Sequence, residues 1–194
     1  MSARLLNIFF LILLSFNVFA QKYVVGISEN VPLKSIDTNQ KPTGIFVDLL
    51  NYIAEEESWE LEYIPLEFQE CMDALEAGKI DIMPDLGYSE ERAMKYNFNK
   101  IDVCLAYGQI FTNSDNEIKT ILDLNNKKIA MVKNDLFYHD PVDGFAHLIE
   151  KFNLKCDFIY AKDYDDVFDL VELNQADAGI VNRIYGNYQL ANQK

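Results

Sequence analysis

The segment that most constrains the fold is residues 75–92, because its structural period changes twice over a short distance. A helical pattern ends near Gly78, a residue suited to the left-handed conformation that terminates helices. An apolar run at residues 80–83 then predicts a short buried strand, which Pro84 ends. A loop follows, and Ser89 predicts the cap of a new helix with an acidic first turn.

The end of this segment is a candidate anion site. Ser89 and Arg92 flank two glutamates, so free backbone N–H groups and a guanidinium would lie just after a strand. Ligands of open α/β sheets bind at the carboxyl ends of the strands, so this position favours a carboxylate-binding site. The alternative is that Ser89 is only a helix cap and Arg92 only the surface partner of a neighbouring glutamate. Both interpretations stay open from this stretch alone.

The residues before this segment predict alternating strands and helices. Residues 22–28 and 61–65 have strand patterns, and residues 68–77 have apolar side chains at helical spacing. Asp48 predicts the cap of a helix over the residues that follow it. With the strand at residues 80–83, this βαβαβ run predicts a parallel α/β sheet with right-handed crossovers.

The pattern then starts again in the second half of the chain. Residues 127–132 resemble residues 22–27. Residues 172–181 resemble residues 75–83 at a similar interval. The repeat predicts two similar α/β lobes, and an apolar run at residues 104–111 predicts a strand that crosses between them over a cleft. The predicted first lobe, hinge strand and second lobe are residues 21–107, 108–112 and 113–194.

The N-terminus has the pattern of a secretory signal peptide. Arg4 precedes an apolar segment, and small residues before Gln21 predict cleavage after Ala20. The apolar segment is shorter than the roughly 20 residues that a membrane-spanning helix needs. No cysteine follows the cleavage site, so no lipid anchor is indicated. We therefore expect an exported, periplasmic protein from which residues 1–20 are removed.

The charge balance excludes two classes of partner. The chain has 31 acidic and 17 basic residues and a formal net charge of −14, so nucleic acid and anionic lipid are poor partners. Three cysteines allow at most one disulfide. Apolar neighbours surround each of them and favour buried free thiols at Cys71, Cys104 and Cys156.

Five motifs in order resemble the family 3 extracellular solute-binding proteins of the amino-acid-binding type. They are GIFVDL, ALEAGKID, SEER with a following Phe98, DL and KKIAMV, at residues 44–49, 74–81, 89–92, 123–124 and 127–132. The resemblance covers residues 22–186 and is closest to the periplasmic sensor modules of histidine kinases and cyclases. It implies a two-lobed, periplasmic-binding-protein-like α/β fold of type II. The chain ends earlier than that fold does, so we expect the fold to be incomplete at its C-terminus.

The resemblance also implies roles for individual residues. Arg92 matches the arginine that binds the ligand carboxylate, a role suited to its two-pronged guanidinium. Asp85 and Gly87 match loop positions that face the ligand. Asp135 and Leu136 match a turn of the second lobe that closes on the carboxylate through its N–H groups.

Three positions depart from the family pattern. Asn182 lies where amino-acid-binding members place the aspartate that holds the α-amino group, and a neutral amide cannot balance an ammonium unless Asp85 supplies the missing charge. An aspartate at position 85 is itself unusual and favours a ligand with a positive or donor group. The usual stacking aromatic near the first loop is not evident, since Leu33 and Ile36 stand in that region. Phe68 is a candidate replacement, and the alternative is that it packs in the core of its helix.

Catalytic and metal chemistry have little support in the sequence. The chain has no nucleophile motif, no GxGxxG and no phosphate-binding loop, so we predict neither catalysis nor a cofactor. His139 and His147 have no third ligand at a metal-like spacing, so no metal site is predicted.

The resemblance implies that a small, polar, carboxylate-bearing solute of amino-acid type binds in the cleft between the lobes. The module would be a monomer that serves as the sensory input of a kinase or cyclase, or as the binding component of an importer with a membrane permease. One alternative is a periplasmic dehydratase-like enzyme, because this fold has given rise to such enzymes. Another alternative is an adaptor or interaction protein that keeps the fold but has lost the anion-binding site. The presence of Arg92 argues against this alternative.

Overall fold

The computed structural model describes residues 20–115, 117–140 and 144–192. The predicted signal peptide, except for Ala20, lies outside the described residues. None of the helices within these ranges is long and apolar enough to cross a membrane.

The described chain folds into two lobes, each built around its own sheet. Lobe one contains β1 (Gln21–Ile27), β2 (Ser35–Ile36), β3 (Pro42–Thr43), α1 (Ile45–Glu57), β4 (Trp59–Pro65), α2 (Phe68–Glu76) and α3 (Glu90–Ala93). Lobe two contains β5 (Gly108–Thr112), a 3-10 helix (Ile121–Leu124), β6 (Lys127–Val132), α4 (Leu136–His139), α5 (Phe145–Lys151), β7 (Cys156–Ala161), α6 (Tyr164–Glu172), β8 (Ala178–Asn182) and α7 (Arg183–Ala191).

The sheet of lobe one pairs β1 with β4 in parallel, as the βαβ pattern predicts. The pairing runs without interruption from Gln21 opposite Trp59 to Ile27 opposite Pro65. Helix α1 makes the crossover between the two strands. Val25 and Ile27 of β1 are buried against this helix in the core of the lobe.

The predicted third strand at residues 80–83 is wrong as a full strand. Its pairing with β1 is reduced to a single parallel bridge between Val25 and Ile82. The carboxylate of Asp81 accepts a hydrogen bond from the N–H of Val24 at 2.8 Å. A side-chain oxygen thus takes the donor that a longer backbone ladder would use. The bridge still carries the following loop to the end of β1, where the predicted site lies.

The predicted cap of α1 is also wrong. The cap residue is Gly44, and Asp48 lies in the first turn with its N–H bonded to the Gly44 carbonyl at 2.9 Å. Gly44 has φ 112° and ψ 168°, a conformation that is essentially restricted to glycine. A Cβ at this position would lie 2.7 Å from the carbonyl oxygen of Leu33. Close backbone approach, rather than a side-chain cap, therefore decides where α1 begins.

The sheet of lobe two has the order β5-β8-β6-β7. Strands β6, β7 and β8 are parallel, and β5 runs antiparallel to β8. Of the residues 104–111 predicted to form a strand, only those from Gly108 onward do so, in β5, and Gly108 lies opposite Asn182 at the end of β8. The carboxyl ends of β6 and β8 therefore carry Asp135 and Asn182 toward lobe one.

The prediction of buried thiols holds for one cysteine and is wrong for another. All three are free, and Cys71 is fully buried on α2, whereas Cys156 is partly exposed. Cys104 is exposed because residues 104–107 lie outside any strand, so their apolar side chains are not packed into a sheet.

Candidate functional site

A cavity of about 1430 Å³ lies at the cleft between the lobes and is lined by residues of both. Ser89 does not line it and acts as a helix cap, because its Oγ accepts a hydrogen bond from the N–H of Arg92 at 3.2 Å. The other site residues predicted from the sequence all line this cavity: Phe68, Asp85, Gly87, Arg92, Asp135, Leu136 and Asn182.

The lining of the cavity is acidic. It includes seven carboxylates, those of Glu29, Glu67, Asp81, Asp85, Asp102, Asp135 and Asp163. The cations in the lining are Lys34, Arg92 and Lys95. Such an excess of negative charge favours a ligand that carries a cationic group beside any carboxylate.

Arg92 connects the two lobes at the cleft. Its Nη1 donates to the carbonyl of Gly87 in lobe one at 3.0 Å, and its Nη2 donates to the carbonyl of Asn134 in lobe two at 2.9 Å. Its guanidinium carbon lies 6.0 Å from the ring centre of Phe68, and burial lowers its pKa. Among the described residues, no ion pair joins Arg92 to either neighbouring glutamate. The surface-pair alternative is therefore not the arrangement found.

Asp135 lies on the lobe-two side of the cleft and is 6% exposed. Its carboxylate caps α4 by accepting a hydrogen bond from the N–H of Phe137 at 3.1 Å, and it accepts a second from the hydroxyl of Tyr164 at 2.9 Å. Burial raises its pKa to about 6, although both hydrogen bonds and the charge of Arg92 oppose the shift. These two hydrogen bonds therefore fix the carboxylate within the turn that faces Arg92.

Asn182 ends β8 and is almost fully buried. Its Oδ1 accepts a hydrogen bond from the N–H of Ile184 at 2.8 Å and so caps α7. The amide oxygen, which is the group that would face an ammonium, is used by the helix. Its Nδ2 is a donor, and a donor is complementary to a carboxylate or carbonyl.

A cluster behind Asp85 was not predicted from the sequence. Lys34 is 1% exposed, and its Nζ donates to Ser28 Oγ at 2.8 Å and lies 4.0 Å from Asp85 Oδ2. The Nδ2 of Asn30 donates to the same Oδ2 of Asp85. Burial lowers the pKa of Lys34 and raises the pKa of Asp85, and each charge offsets part of the shift of the other. Lysine is rarely buried, so no sequence signal points to this position.

The two lobes approach closely on either side of Arg92. The Nδ2 of Asn134 donates to the Oε1 of Gln69 on α2, which adds a second contact between the lobes beside the Arg92 hydrogen bond. A Cβ on Gly87 would lie 2.8 Å from Cδ2 of Leu136. Glycine at position 87 therefore allows the loop of lobe one to lie against the turn of lobe two.

No cluster of histidine, cysteine, aspartate or glutamate within the described ranges has the arrangement of a metal site. His139 ends α4 with an exposed side chain, and its ring meets that of Tyr138 edge to face at 4.8 Å.

Two α/β lobes around a cleft with a partly buried arginine are typical of solute-binding proteins. The chain belongs to the bacterial extracellular solute-binding proteins, family 3, whose family model matches residues 23–172. The resemblance recognised in the sequence is confirmed.

One curated relative is the probable amino-acid-binding protein YxeM of Bacillus subtilis. It is 35% identical over 96 residues, which are 48% of this chain and 36% of the relative. The match therefore spans little more than a third of the length of that protein.

Two solved structures have a similar fold. One is an arginine 3rd transport system periplasmic binding protein from Legionella pneumophila, with a TM-score of 0.76, 21% identity and coverage of 89% of this chain and 73% of that chain. The other is a histidine kinase sensor domain with similarity to periplasmic binding proteins, with a TM-score of 0.75, 24% identity and coverage of 89% and 72%. The predicted periplasmic-binding-protein-like α/β fold is thereby confirmed.

Proposed function

We propose that the chain is an extracytoplasmic binding module for a small, polar, carboxylate-bearing solute of amino-acid type, held in the cleft between the lobes. Membership of family 3 supports this proposal, and so does the description of YxeM as an amino-acid-binding protein. The proposed location is the periplasm, in keeping with a family of extracellular proteins.

The observation that carries the proposal is the position of Arg92. Its guanidinium lies in the cavity and directs two donors at backbone carbonyls, one from each lobe. A carboxylate is a stronger acceptor for a guanidinium than a carbonyl and can engage two of its N–H groups at once. A ligand carboxylate that takes the place of these carbonyls would therefore gain a charge-assisted pair at the junction of the lobes.

Two biological settings fit such a module. The similarity to a histidine kinase sensor domain supports a sensory role upstream of a kinase or cyclase. The similarity to a binding protein of an arginine transport system supports a role beside a membrane permease. We propose that the chain passes between the lobes at residues 108–112, which form the edge strand β5 of the lobe-two sheet, so that this strand is the hinge between residues 21–107 and 113–194. We also propose a monomeric module in either setting.

A ligand screen tests the proposal. The mature chain is heated in the presence of each proteinogenic L-amino acid and of a set of small carboxylic acids, and every compound that raises the melting temperature is followed by calorimetric titration and by product analysis. We expect saturable binding without chemical change. The proposal fails if no carboxylate binds, and formation of a dehydrated product would show instead the dehydratase-like enzyme.

A further inference from the structure

Asn30 carries a buried acceptor that has no partner. The residue is 6% exposed and lines the cavity. Its Nδ2 donates to the carboxylate of Asp85, which accepts hydrogen bonds and so fixes the orientation of the amide. The Oδ1 of Asn30 is then left buried without a hydrogen-bond partner among the described residues. An unpaired buried acceptor is costly to a fold, and at a binding cavity it indicates a group that the ligand satisfies.

The acceptor at the position expected to hold an ammonium from lobe two is already engaged by a helix and carries no charge. The Oδ1 of Asn182 accepts a hydrogen bond from the N–H of Ile184. The other group of this amide, Nδ2, is a donor. An ammonium carries three donors and no acceptor, so it gains nothing from a donor. An unpartnered acceptor and a negative charge are found instead in lobe one, at Asn30 and Asp85.

We infer that lobe one holds the ammonium group of the ligand, through Asn30 Oδ1 and the Asp85 carboxylate, and that Asn182 does not. The inference rests on the proposed function, because it concerns the orientation of an amino-acid-like ligand in the same cleft. Asp85 and Asn30 line the cavity and carry acceptors, whereas Arg92 lines it and carries donors that a ligand carboxylate can engage. The two ends of an amino acid are thus matched by opposite kinds of group.

The acceptor pair is fixed before a ligand arrives. Asn30 is held by its N–H, which donates to the carbonyl of Lys34 at 2.9 Å, and by its carbonyl, which accepts from Leu33 at 2.8 Å. Asp85 adopts a left-handed conformation with φ 63° and lies between Asn30 and the ammonium of Lys34. Since Lys34 is 4.0 Å from one oxygen of Asp85, it balances the buried charge without a close contact. The acidic lining of the cavity adds to the preference for a cation.

Matched pairs of probes test the inference. Each pair is an L-amino acid and the carboxylic acid that lacks only its amino group: L-glutamate with glutarate, L-aspartate with succinate, L-alanine with propionate, and L-arginine with 5-guanidinopentanoate. The same pairing is made for any other L-amino acid that binds. The measured quantity is the ratio of the two dissociation constants, by calorimetric titration, for the parent and each variant.

The parent should prefer the amino acid. Asn30→Ala should reduce that preference by about ten- to a hundred-fold, the value of a hydrogen bond to a charged group. Asp85→Asn keeps an acceptor for Asn30 Nδ2 and should also reduce the preference, because it removes the charge. Asn182→Ala should weaken both members of a pair by a similar factor. Asn39→Ala, the same change at an exposed asparagine, should change neither.

The outcomes separate this inference from the proposed function. If Asn30→Ala keeps the preference, or Asn182→Ala loses it, the inference is overturned while carboxylate binding stands. Equal binding of both members by the parent overturns it as well. If no member of any pair binds the parent, the proposed function itself fails. Should Asn30→Ala not fold, Asp85→Asn decides by the same ratio.

Discussion

At the scale of single residues, the ligand proposal depends most on Arg92. We expect Arg92→Ala to reduce the affinity for a carboxylate by about ten- to a hundred-fold, because a hydrogen bond to a charged group contributes roughly 1.5 to 3 kcal/mol. The start of α3 should persist, since the Ser89 cap accepts from the backbone N–H and not from the guanidinium. Arg92→Lys should recover only part of the loss, because an ammonium lacks the planar fork.

The measurement for Arg92 is calorimetric titration with the first carboxylate that raises the melting temperature of the parent. His139→Ala is the control, because this exposed side chain ends α4 without lining the cavity. Unchanged affinity in Arg92→Ala would mean that the arginine only connects the lobes through its hydrogen bonds to the carbonyls of Gly87 and Asn134. The proposal that Arg92 binds a ligand carboxylate would then be wrong.

Asp135 should make the stability depend on pH in an unusual direction. Burial raises its pKa from the ordinary aspartate value of 3.8 to about 6, so the folded state binds the proton more tightly. The free energy of unfolding therefore falls as pH rises from about 4 to 6. Asp135→Asn removes this effect, and its stability relative to the parent should increase by about 2 kcal/mol between pH 4 and pH 7.

Urea unfolding at several pH values measures the Asp135 effect. Asp123→Asn is a control of opposite sign, because hydrogen bonds from the N–H groups of Lys119 and Thr120 lower the pKa of Asp123. Its contribution is present above the unfolded pKa and is lost as pH falls through the folded pKa, so Asp123→Asn should lose stability relative to the parent as pH rises. Parallel pH profiles for the parent and Asp135→Asn would contradict the assignment.

The sequence predicts some residues of the site better than others. Arg92, Asp135 and Asn182 were predicted because each follows a strand or begins a helix within a motif that can be recognised. Asn30 and Lys34 were missed because their partner, Asp85, lies far along the chain and their own loop has no periodic pattern. Contacts between distant loops depend on how the chain packs, which local residue patterns do not encode.

At the scale of elements, the long periodic segments were predicted well and their ends less so. Strands β1, β4 and β6 and helix α2 lie within a few residues of their predicted bounds. The start of α1 was missed because an aspartate four residues into the segment has the character of a cap, whereas Gly44 is required by backbone contact with Leu33. The strand at residues 80–83 was overpredicted because Asp81 competes for the backbone donor of Val24.

Two glycines at helix ends provide a matched prediction. Gly44→Ala should destabilise the fold by about 3 kcal/mol or more, because a side chain there would meet the Leu33 backbone and the conformation excludes a Cβ. Gly78→Ala should cost only about 1 kcal/mol, because its φ of 66° is left-handed but no atom lies within 4 Å of the added Cβ. Urea unfolding measures both, and equal losses would show that backbone contact does not set the start of α1.

At the scale of the whole molecule, Asn134 is a lobe-two residue that makes two hydrogen bonds with lobe one across the cleft. Its carbonyl accepts from Arg92, and its side chain donates to Gln69 of lobe one. Its backbone is left-handed with φ 61°. Asn134→Gly is therefore a clean change, because glycine adopts this conformation readily and keeps the carbonyl, so that only the contact with Gln69 is lost.

We expect Asn134→Gly to leave each lobe folded and to shift the lobes toward an open arrangement. A net hydrogen bond contributes roughly 0.5 to 1.5 kcal/mol, and apparent affinity falls with the fraction of molecules that can close, so ligand binding should weaken by about two- to ten-fold. Small-angle X-ray scattering without ligand should give a larger radius of gyration. Asn153→Gly is the matched control, an exposed asparagine at φ 53° beyond the end of α5. If both variants match the parent in radius and affinity, the contact between Asn134 and Gln69 plays no part in closure.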